Sequence, residues 1–292
     1  MSKLIVLSNR VNLPSADGHA AGGLAVALQD ALQDMGGVWL GWNGEKVDSS
    51  EQQDFSIYQK DQVEYMTCPL TQQQYQDFYC GFSNNTLWPA MHDREDLIEF
   101  QPDEFRTYEQ VNRHFALALS RIAEPEDMIW VHDYHFFSVA HYCRELGMKN
   151  RIGFFLHIPF AQLSIWKNLQ VSEKLIQHMS EYNVLGLQTE HDQKQCVEVL
   201  QYYLGGLVTP DQILVLDNRE LKICCYPIGV NPELIQQTAV DVEKQKPNTP
   251  FHVEHLPEHK TIISVDRIDY SKGLIERFNA FADFLKQYPE YH

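Results

Sequence analysis

Four residues with charged or reactive side chains follow short apolar runs of the sequence, at the points where predicted strands end. They are Arg10, Asp133, His157 and Arg267. In open parallel sheets, ligands bind outside the carboxyl ends of the strands. One such placement would indicate little, but four of the same kind predict a ligand site at this edge of a sheet.

The densest of these positions is the run His132-Asp133-Tyr134-His135. Asp133 has the chemistry to accept hydrogen bonds from sugar hydroxyls or to act as a base. An alternative stays open, because an aspartate after a strand also caps the following helix. The two histidines do not predict a metal site, since a turn that follows a strand does not place them reliably as ligands.

Three further side chains suit a sugar ligand: His157, Tyr79 and Trp88. His157 can donate a hydrogen bond to a sugar oxygen or to charge that develops in a reaction. A short helix is predicted over residues 72–79, and Tyr79 and Trp88 are predicted to lie in a long loop region and to form the wall of a sugar pocket. The alternatives are a half-buried histidine with partners inside the protein, and aromatic side chains that anchor the loop on the core.

Two features near the N-terminus suit a phosphate. Gly22 and Gly23 open a predicted helix over residues 24–32, where backbone N–H groups and the helix dipole attract an anion. Arg10 keeps its charge at physiological pH and is able to bind a phosphate through two hydrogen bonds. A tight turn and a surface ion pair are the respective alternatives.

A second cationic loop has Arg267 and Lys272 five residues apart, followed by Gly273 and a predicted helix. Two cations at a helix N-terminus suit a diphosphate leaving group, which gains charge as its bond breaks. The alternative is a solvated loop with a local pair between Asp269 and Lys272. The sequence favours the functional interpretation.

Strands that alternate with helices predict an α/β fold with a parallel sheet and right-handed crossovers. Residues 241–259 are predicted to be an exposed linker between a first domain, residues 1–240, and the start of a second, residues 260–292. One strand and one helix do not close a core, so we expect the second domain to be incomplete. The predicted strands cover residues 4–7, 128–131, 152–156, 184–187, 222–226 and 261–265.

The charge balance excludes some classes of function. With 23 basic and 40 acidic residues, the net charge is −17, which argues against a general nucleic-acid binder. An anionic ligand therefore has to be bound by a few placed Arg and Lys side chains. No apolar run approaches the roughly 20 residues that cross a bilayer, and no signal peptide is recognisable, so we expect a cytoplasmic protein without membrane association.

Seven motifs occur in the order and at the spacing of the trehalose-6-phosphate synthases, so nearly the whole sequence resembles this family. They are Leu7-Ser8-Asn9-Arg10, Ala21-Gly22-Gly23-Leu24, Trp42-Asn43-Gly44, Leu87-Trp88-Pro89, Trp130-Val131-His132-Asp133-Tyr134-His135, Phe155-Leu156-His157-Ile158-Pro159-Phe160 and Arg267-Ile268-Asp269-Tyr270-Ser271-Lys272-Gly273.

The resemblance implies a GT-B fold, in which two Rossmann-like domains face each other across a cleft. This chain would hold one complete Rossmann-like domain and the first strand and helix of the other. The implied reaction transfers glucose from UDP-glucose to glucose 6-phosphate, with retention, and yields α,α-trehalose 6-phosphate and UDP. No metal or other cofactor is expected, and a homo-oligomer is compatible with the resemblance.

The resemblance also implies roles for the acceptor side of the site. Arg10 and Tyr79 would bind the acceptor phosphate, and Asp133 the acceptor hydroxyls. Trp88 and Ile158 would shape the acceptor pocket and help to select the anomer.

On the donor side, Gly22 and Gly23 would approach the donor through backbone amides. His157 would contact the donor glucose, while Arg267 and Lys272 would hold the diphosphate of UDP. Asp133, His157 and the two cations would form the catalytic group.

The sequence departs from the family in two places. Phe160 is followed by Ala161-Gln162-Leu163, where family members commonly have another proline and small polar residues. The family's second domain also continues for well over a hundred further residues, so the chain is expected to be truncated. The alternatives are an inactive fragment that binds glucose 6-phosphate or a partner, and a synthase with another acceptor such as glycerol 3-phosphate.

Overall fold

The computed structural model describes residues 2–11, 13, 28, 31–32, 35–48, 54–217, 219–245 and 262–291. Contacts divide the chain into two compact units, Met1–Ile228 and Gly229–His292. Each unit is described by itself.

A single ten-stranded sheet organises the described residues of the first unit, in the order β3-β4-β2-β1-β5-β6-β7-β10-β9-β8. The run from β4 to β10 is parallel, and antiparallel strands close both edges. The α/β fold with a mostly parallel sheet is therefore confirmed. The strands are β1 Leu4–Arg10, β2 Gly37–Val47, β3 Ser56–Lys60, β4 Val63–Thr71, β5 Met128–His132, β6 Arg151–Phe155, β7 Val184–Leu187, β8 Leu207–Val208, β9 Ile213–Leu216 and β10 Arg219–Cys225.

Nine α-helices of the described residues belong to the first or the second unit. They are α1 Gln72–Gln74, α2 Trp88–Met91, α3 Pro102–Ile122, α4 Val139–Glu145, α5 Leu163–Asn168, α6 Ser172–Met179, α7 Glu190–Leu204, α8 Pro232–Gln245 and α9 Leu274–Gln287.

The sheet order creates a switch point at its centre. From β1 the chain moves to β2 on one side, and it later returns to place β5 on the other side of β1. Ligands of open α/β sheets bind at such a switch point, outside the carboxyl ends of the strands. Arg10 ends β1 and Asp133 follows β5, so these two predicted site residues flank the switch.

A large part of the core lies between the sheet and helix α3. The centre of β1 is apolar on both faces and fully buried, which is typical of a parallel strand covered on both sides. Helix α3 buries a stripe with helical spacing that includes Phe105, Tyr108 and Phe115. Phe78 and Phe82 belong to the same core, and their aromatic rings pack against Tyr108.

The predicted loop around Tyr79 and Trp88 is wrong, because both residues lie in helical structure. Helix α1 begins with a capping box at Thr71, continues as a π-helix over Tyr75–Leu87, and leads into α2. The helix predicted over residues 72–79 does not end there, and Gly81 lies inside the helical structure. A Cβ at this position would collide with the carboxyl group of Glu104, so the glycine permits close packing against α3.

The polar segment before β4 contains an edge strand that periodicity does not reveal. Ser56–Lys60 pairs antiparallel with β4, and all five side chains are exposed. The strand has Ile57 and Tyr58 in succession, so it lacks the apolar alternation that identifies a half-buried strand.

The second unit differs from its prediction in two respects. Residues 262–265 form no strand, since no neighbouring strand is found among residues 229–245 and 262–291 to pair with them. Helix α8 runs through the predicted boundary at residue 240, so residues 241–245 of the predicted linker are helical, and residues 246–259 lie outside the described residues. The predicted helix over residues 274–287 is confirmed as α9. The domain limits themselves stay a prediction.

Candidate functional site

The turn after β5 has an unusual backbone at Asp133. Its φ is 74° and its ψ is 166°, a combination that glycine adopts easily and other residues rarely. Its N–H group donates to the carbonyl of Phe155 at 2.8 Å, so the neighbouring strand fixes the turn. Strain of this kind costs about 1–3 kcal/mol and concentrates at functional sites.

Helix α3 supplies the groups that hold this turn. The hydroxyl of Tyr108 donates to the carbonyl of Tyr134 at 2.8 Å and accepts from the N–H of Phe137 at 2.9 Å. The amide of Asn112 donates to the carbonyl of His135 at 3.0 Å. Tyr108 and Asn112 are fully buried. Buried and satisfied polar groups of this kind specify one backbone conformation.

Asp133 and His157 are brought together, as predicted for a site at this edge. The backbone N–H of His157 donates to Oδ1 of Asp133 at 3.2 Å. Burial raises the pKa of the Asp133 carboxyl to about 7, although hydrogen bonds from the backbones of His157 and Tyr134 oppose that rise. A carboxyl with this pKa is able to accept or release a proton near neutral pH.

The ring of His157 contacts a second, more deeply buried histidine. Nδ1 of His132 and Nε2 of His157 lie 2.9 Å apart. Burial lowers the pKa of His157 to about 4 and that of His132 well below its ordinary value. Both imidazoles are therefore neutral at neutral pH. Sequence reasoning gave His132 no role of its own.

Arg10 and Tyr79 meet on a shared aromatic side chain, Trp42. The guanidinium carbon of Arg10 lies 5.5 Å from the centre of the Trp42 ring, and the rings of Trp42 and Tyr79 are 5.7 Å apart. Tyr79 also stacks on His135 at 5.8 Å, and this contact connects the cation to the turn that holds Asp133. At Gly44, where φ is 91°, a Cβ would lie 2.5 Å from the Arg10 guanidinium.

Lys46 is a second cation at this cluster that sequence reasoning missed. Its ammonium group lies 4.3 Å from the centre of the Tyr75 ring, and Tyr75 stacks on Tyr79 at 5.5 Å. Both exposed cations, Arg10 and Lys46, therefore lie over neighbouring aromatic rings, an arrangement worth about 0.5–1 kcal/mol each at exposed sites. The sequence did contain a hint of this cation, because Lys46 follows Trp42 by four residues in the same strand.

Trp88 and Ile158 differ in what they offer a ligand. Trp88 is half-buried, and its ring lies 5.7 Å from that of Tyr134, beside the turn with Asp133. The hydroxyl of Tyr134 donates to Oδ1 of Asn84 at 2.9 Å, so this wall is fixed in place. Ile158 is only 8% exposed and belongs to the core, and a ligand would reach little of it.

In the second unit, Lys272 ends a short 3-10 turn, Tyr270–Lys272, and Arg267 precedes this turn by three residues. The carboxylate of Asp269 accepts from the N–H of Ser271 at 2.9 Å, and it lies 3.7 Å from the Arg267 guanidinium. Burial alone would raise the pKa of Asp269, but the Ser271 hydrogen bonds and the two cations lower it. The Arg267 side chain is 75% exposed. The ion pair at Asp269 is thus formed with Arg267, whereas the alternative drawn from the sequence paired Asp269 with Lys272.

A cavity of about 330 Å³ lies in the first unit beside the histidine pair. Its walls include Trp130, Phe155 and Tyr226, and the two glycines Gly153 and Gly186 leave room for it. A Cβ at Gly186 would approach Phe155 to 2.7 Å. The cavity therefore depends on small residues in the centres of β6 and β7.

Some predictions lie outside what can be described. Gly22 and Gly23 lie outside the described residues, so their role stays a prediction. Within the described ranges, no group of three or more His, Cys, Asp or Glu side chains is placed to hold a metal ion. Over the same ranges, no helix is both long and apolar enough to cross a membrane.

A match to known proteins covers almost the entire chain. Residues 7–292 match glycosyltransferase family 20. The chain belongs to glycosyltransferase family 20. The predicted family is therefore confirmed, and with it the GT-B fold of its solved relatives.

Three relatives illustrate the match. The trehalose-6-phosphate synthase of Sodalis glossinidius is 40% identical over 291 residues, which is 100% of this chain and 61% of that protein. A second relative is a UDP-forming α,α-trehalose-phosphate synthase from Burkholderia xenovorans, solved in complex with glucose 6-phosphate. It shares 38% identity with this chain at a TM-score of 0.90, and the match covers 99% of this chain and 63% of that protein. An E. coli structure bound with UDP-2-fluoro glucose shares 35% identity at a TM-score of 0.88, over 100% of this chain and 62% of that one. The chain thus spans about 61% of the length of the curated relatives it matches.

Proposed function

We propose that this protein takes part in the transfer of glucose from UDP-glucose to glucose 6-phosphate, which yields α,α-trehalose 6-phosphate and UDP. The observation that carries the proposal is the pairing of the Asp133 carboxyl with the backbone of His157 at the switch point of a family 20 fold. A relative solved with glucose 6-phosphate and another bound with UDP-2-fluoro glucose support these two ligands.

The acceptor would bind to the first unit. Arg10 and Tyr79 share the Trp42 ring and are suited to the phosphate, since a guanidinium and a phenol both donate hydrogen bonds. Asp133 would accept hydrogen bonds from the acceptor hydroxyls. Trp88 would form the wall that selects the anomer, and Ile158 would contribute mainly by supporting that wall from the core.

The donor would be bound in part by residues of this chain. His157 would donate to the donor glucose, and Gly22 and Gly23 would approach it through backbone amides. Arg267 and Lys272 would hold the diphosphate, whose negative charge grows as its bond to the sugar breaks. The relatives have further residues beyond the length that this chain spans, so completion of the donor site is itself part of the proposal.

Retention at the donor carbon would follow from attack on the face that UDP leaves. The bond between the sugar carbon and the diphosphate oxygen breaks, and a bond to the acceptor oxygen forms on the same side. The proton of the acceptor hydroxyl passes to the departing phosphate oxygen. Arg267 and Lys272 would stabilise that oxygen, and the neutral His157 would add no positive charge beside an oxocarbenium-like sugar.

The decisive experiment measures UDP release by the purified 292-residue chain with both substrates present. Release that requires both UDP-glucose and glucose 6-phosphate, and that Arg267→Ala abolishes, is the expected result for a synthase. A folded chain that releases no UDP would contradict transfer by this polypeptide.

A second candidate function is the binding of glucose 6-phosphate without transfer. It is favoured by the position of Arg10, Tyr79, Trp88 and Asp133 within one compact unit of a chain that spans 61% of its curated relatives. Calorimetry with glucose 6-phosphate tests it, and glycerol 3-phosphate serves as the matched ligand because it has the phosphate but not the sugar. Equal heats for the two ligands would contradict recognition of the sugar.

A further inference from the structure

Two histidines, His132 at the end of β5 and His157 after β6, form a buried pair in which one ring is able to position the other. We propose that His132 is a positioning residue, which holds His157 in the tautomer with its proton on Nδ1 and so makes His157 a hydrogen-bond donor towards the ligand. Only the identity of that ligand depends on the proposed function. The 2.9 Å contact between Nδ1 of His132 and Nε2 of His157 is its starting point.

Aromatic neighbours confine both rings. His132 is 1% exposed, and the ring of Trp130 lies 4.3 Å from it. Phe155 lies 4.7 Å from the ring of His157 and 6.3 Å from that of His132. The backbone of His157 is fixed by Asp133 as well. These aromatic neighbours restrict the rotation of both rings on the sides where they pack.

Only one proton lies between the two ring nitrogens. Both imidazoles are neutral, and a neutral imidazole has one N–H donor and one bare acceptor nitrogen. Either Nδ1–H of His132 donates to His157, or Nε2–H of His157 donates to His132. These two arrangements put opposite hydrogen-bonding groups on the outer nitrogens of the pair.

The buried outer nitrogen of His132 decides between them. Its Nε2 is buried and has no hydrogen-bond partner among the described residues. If His157 donated, this nitrogen would bear an N–H group that is buried and unpaired, and orphaned buried N–H groups are rare in proteins. If His132 donates, the same nitrogen is a bare acceptor inside an aromatic cluster. The second arrangement is therefore favoured.

The chosen arrangement fixes the chemistry of His157. Its Nε2 accepts from His132, so its proton is on Nδ1, and the ring offers an N–H group to a ligand oxygen. The opposite tautomer would offer a bare nitrogen, which accepts a hydrogen bond only when the sugar hydroxyl is the donor. His132 thus sets the direction of the hydrogen bond between His157 and a sugar without any contact between itself and the ligand.

The test reads the tautomer directly. Nitrogen-15 NMR of the histidine rings distinguishes a protonated from a bare ring nitrogen, and loss of a signal in a His157 variant assigns it. We expect Nδ1–H at His157 in the unaltered chain. His132→Asn has an amide N–H near the position of Nδ1 and is expected to keep this tautomer, whereas His132→Gln has its amide one methylene further out and is expected to lose it.

Two outcomes would overturn the proposal. One is Nε2–H at His157 in the unaltered chain. The other is a His157 tautomer that stays unchanged in a folded His132→Gln variant. The unaltered chain alone decides the first, so the proposal stays testable even if a variant does not fold. None of these measurements needs turnover, and a chain that releases no UDP would contradict the proposed function while the tautomer is still measured.

Where UDP release is observed, kinetics add an independent readout. We expect His132→Gln to lower kcat about tenfold, the effect of one neutral hydrogen bond, and to leave the KM for glucose 6-phosphate unchanged. His132→Asn is expected to restore most of the rate. Equal losses in the two variants, or a loss carried mainly by the KM for glucose 6-phosphate, would indicate a merely structural role and contradict the proposal.

Discussion

The two candidate binding regions are built in different ways. The turn that holds Asp133 lies against His132, which is 1% exposed, and its hydrogen bonds connect residues far apart in sequence, such as Tyr108 and Tyr134. The segment that bears Arg267 contains Ile268, which is 99% exposed, and it is held by hydrogen bonds between residues close in sequence, such as those from Arg277 to Asp266 and to the carbonyl of Lys272.

The difference indicates how each region obtains its geometry. The first region is fixed by the packing of the whole sheet, so its groups are preorganised before any ligand binds. The second is fixed by the Asp269 cap and by Arg277, which donates to Asp266 at 2.7 Å and to the carbonyl of Lys272 at 3.2 Å. A ligand there has to supply more of the order itself, which lowers its affinity.

The largest expected effect comes from matched truncations of phenylalanine. Phe78 is fully buried in the first unit, whereas Phe278 in α9 is 72% exposed. We expect Phe78→Ala to lower the free energy of unfolding by about 3–5 kcal/mol because it leaves a cavity, and Phe278→Ala to change it by less than about 0.5 kcal/mol. Urea unfolding followed by far-UV circular dichroism measures both.

Tryptophan fluorescence provides the control for this pair, because all five tryptophans lie in the first unit. The fluorescence transition should move with Phe78→Ala and stay in place with Phe278→Ala. Similar losses from the two variants would contradict the contrast between a packed first region and an exposed second one.

The next effect concerns the two arginines. Arg10 lies over Trp42 in the first unit, and Arg267 pairs locally with Asp269 in the second. Loss of a charge-assisted hydrogen bond costs about 1.5–3 kcal/mol, so Arg10→Ala should weaken glucose 6-phosphate binding by about ten- to a hundredfold. Arg267→Ala should leave this affinity unchanged, since its proposed ligand is the donor diphosphate. Calorimetry with glucose 6-phosphate measures both variants.

Arg10→Lys sharpens the same comparison. It keeps the charge but not the planar fork, so an intermediate affinity is expected if the phosphate is held through two hydrogen bonds. Full affinity in Arg10→Ala would remove Arg10 from the acceptor site. A loss in Arg267→Ala as large as that in Arg10→Ala would contradict the division of roles.

Acid should destabilise the first region through its buried histidines. Burial lowers the pKa of His135 to about 3, while an unfolded histidine titrates near 6.5. The unfolded state therefore binds more protons between these values, and stability falls as the pH drops below about 6.5. Between pH 7 and pH 5, one such histidine accounts for a loss of about 2 kcal/mol.

His135→Phe isolates this contribution. The variant keeps an aromatic ring beside Tyr79 but has no titrating nitrogen. Between pH 7 and pH 5, its free energy of unfolding should therefore fall by about 2 kcal/mol less than that of the unaltered chain. Any change in packing is present at both pH values and cancels in the difference. An unchanged pH dependence would mean that His135 is not held neutral by burial.

The contrast between the regions also explains which features the sequence could predict. Apolar runs located β1, β5, β6 and β7 and the helix α9, because burial on both faces of a strand or along one face of a helix leaves a local pattern. The edge strand Ser56–Lys60 and the continuation of helical structure from Tyr79 to Leu87 left none. Their structure depends on the pairing partner β4 and on the close approach of α3 at Gly81, which are contacts between distant residues.

The same limit applies to the site. Arg10, Asp133 and His157 were found because each stands at the end of a strand, and this position is visible in the sequence. His132 and Lys46 were not assigned, since an alternating strand pattern does not show which ring nitrogens meet or which lysine lies over Tyr75. The strand predicted over residues 261–265 was wrong because an apolar run indicates burial, whereas a strand also needs a partner.

The smallest expected effect tests the strain at Asp133 itself. Asp133→Gly and Asp133→Ala both remove the carboxylate that accepts from the N–H of His157, so they share that loss. Glycine adopts a φ of 74° and a ψ of 166° without strain, whereas alanine keeps the strain of about 1–3 kcal/mol. The glycine substitution also lowers the free energy of unfolding by about 0.4–1 kcal/mol, because the unfolded chain gains conformational freedom.

The net prediction is that Asp133→Gly is more stable than Asp133→Ala by about 1 kcal/mol, measured by urea unfolding at one pH. Both variants should lose UDP release, because neither has a carboxylate for the acceptor. An alanine variant as stable as the glycine variant would show that the turn relaxes when its side chain is cut back. In that case the backbone of the first region would be no more firmly fixed than the locally held loop of the second.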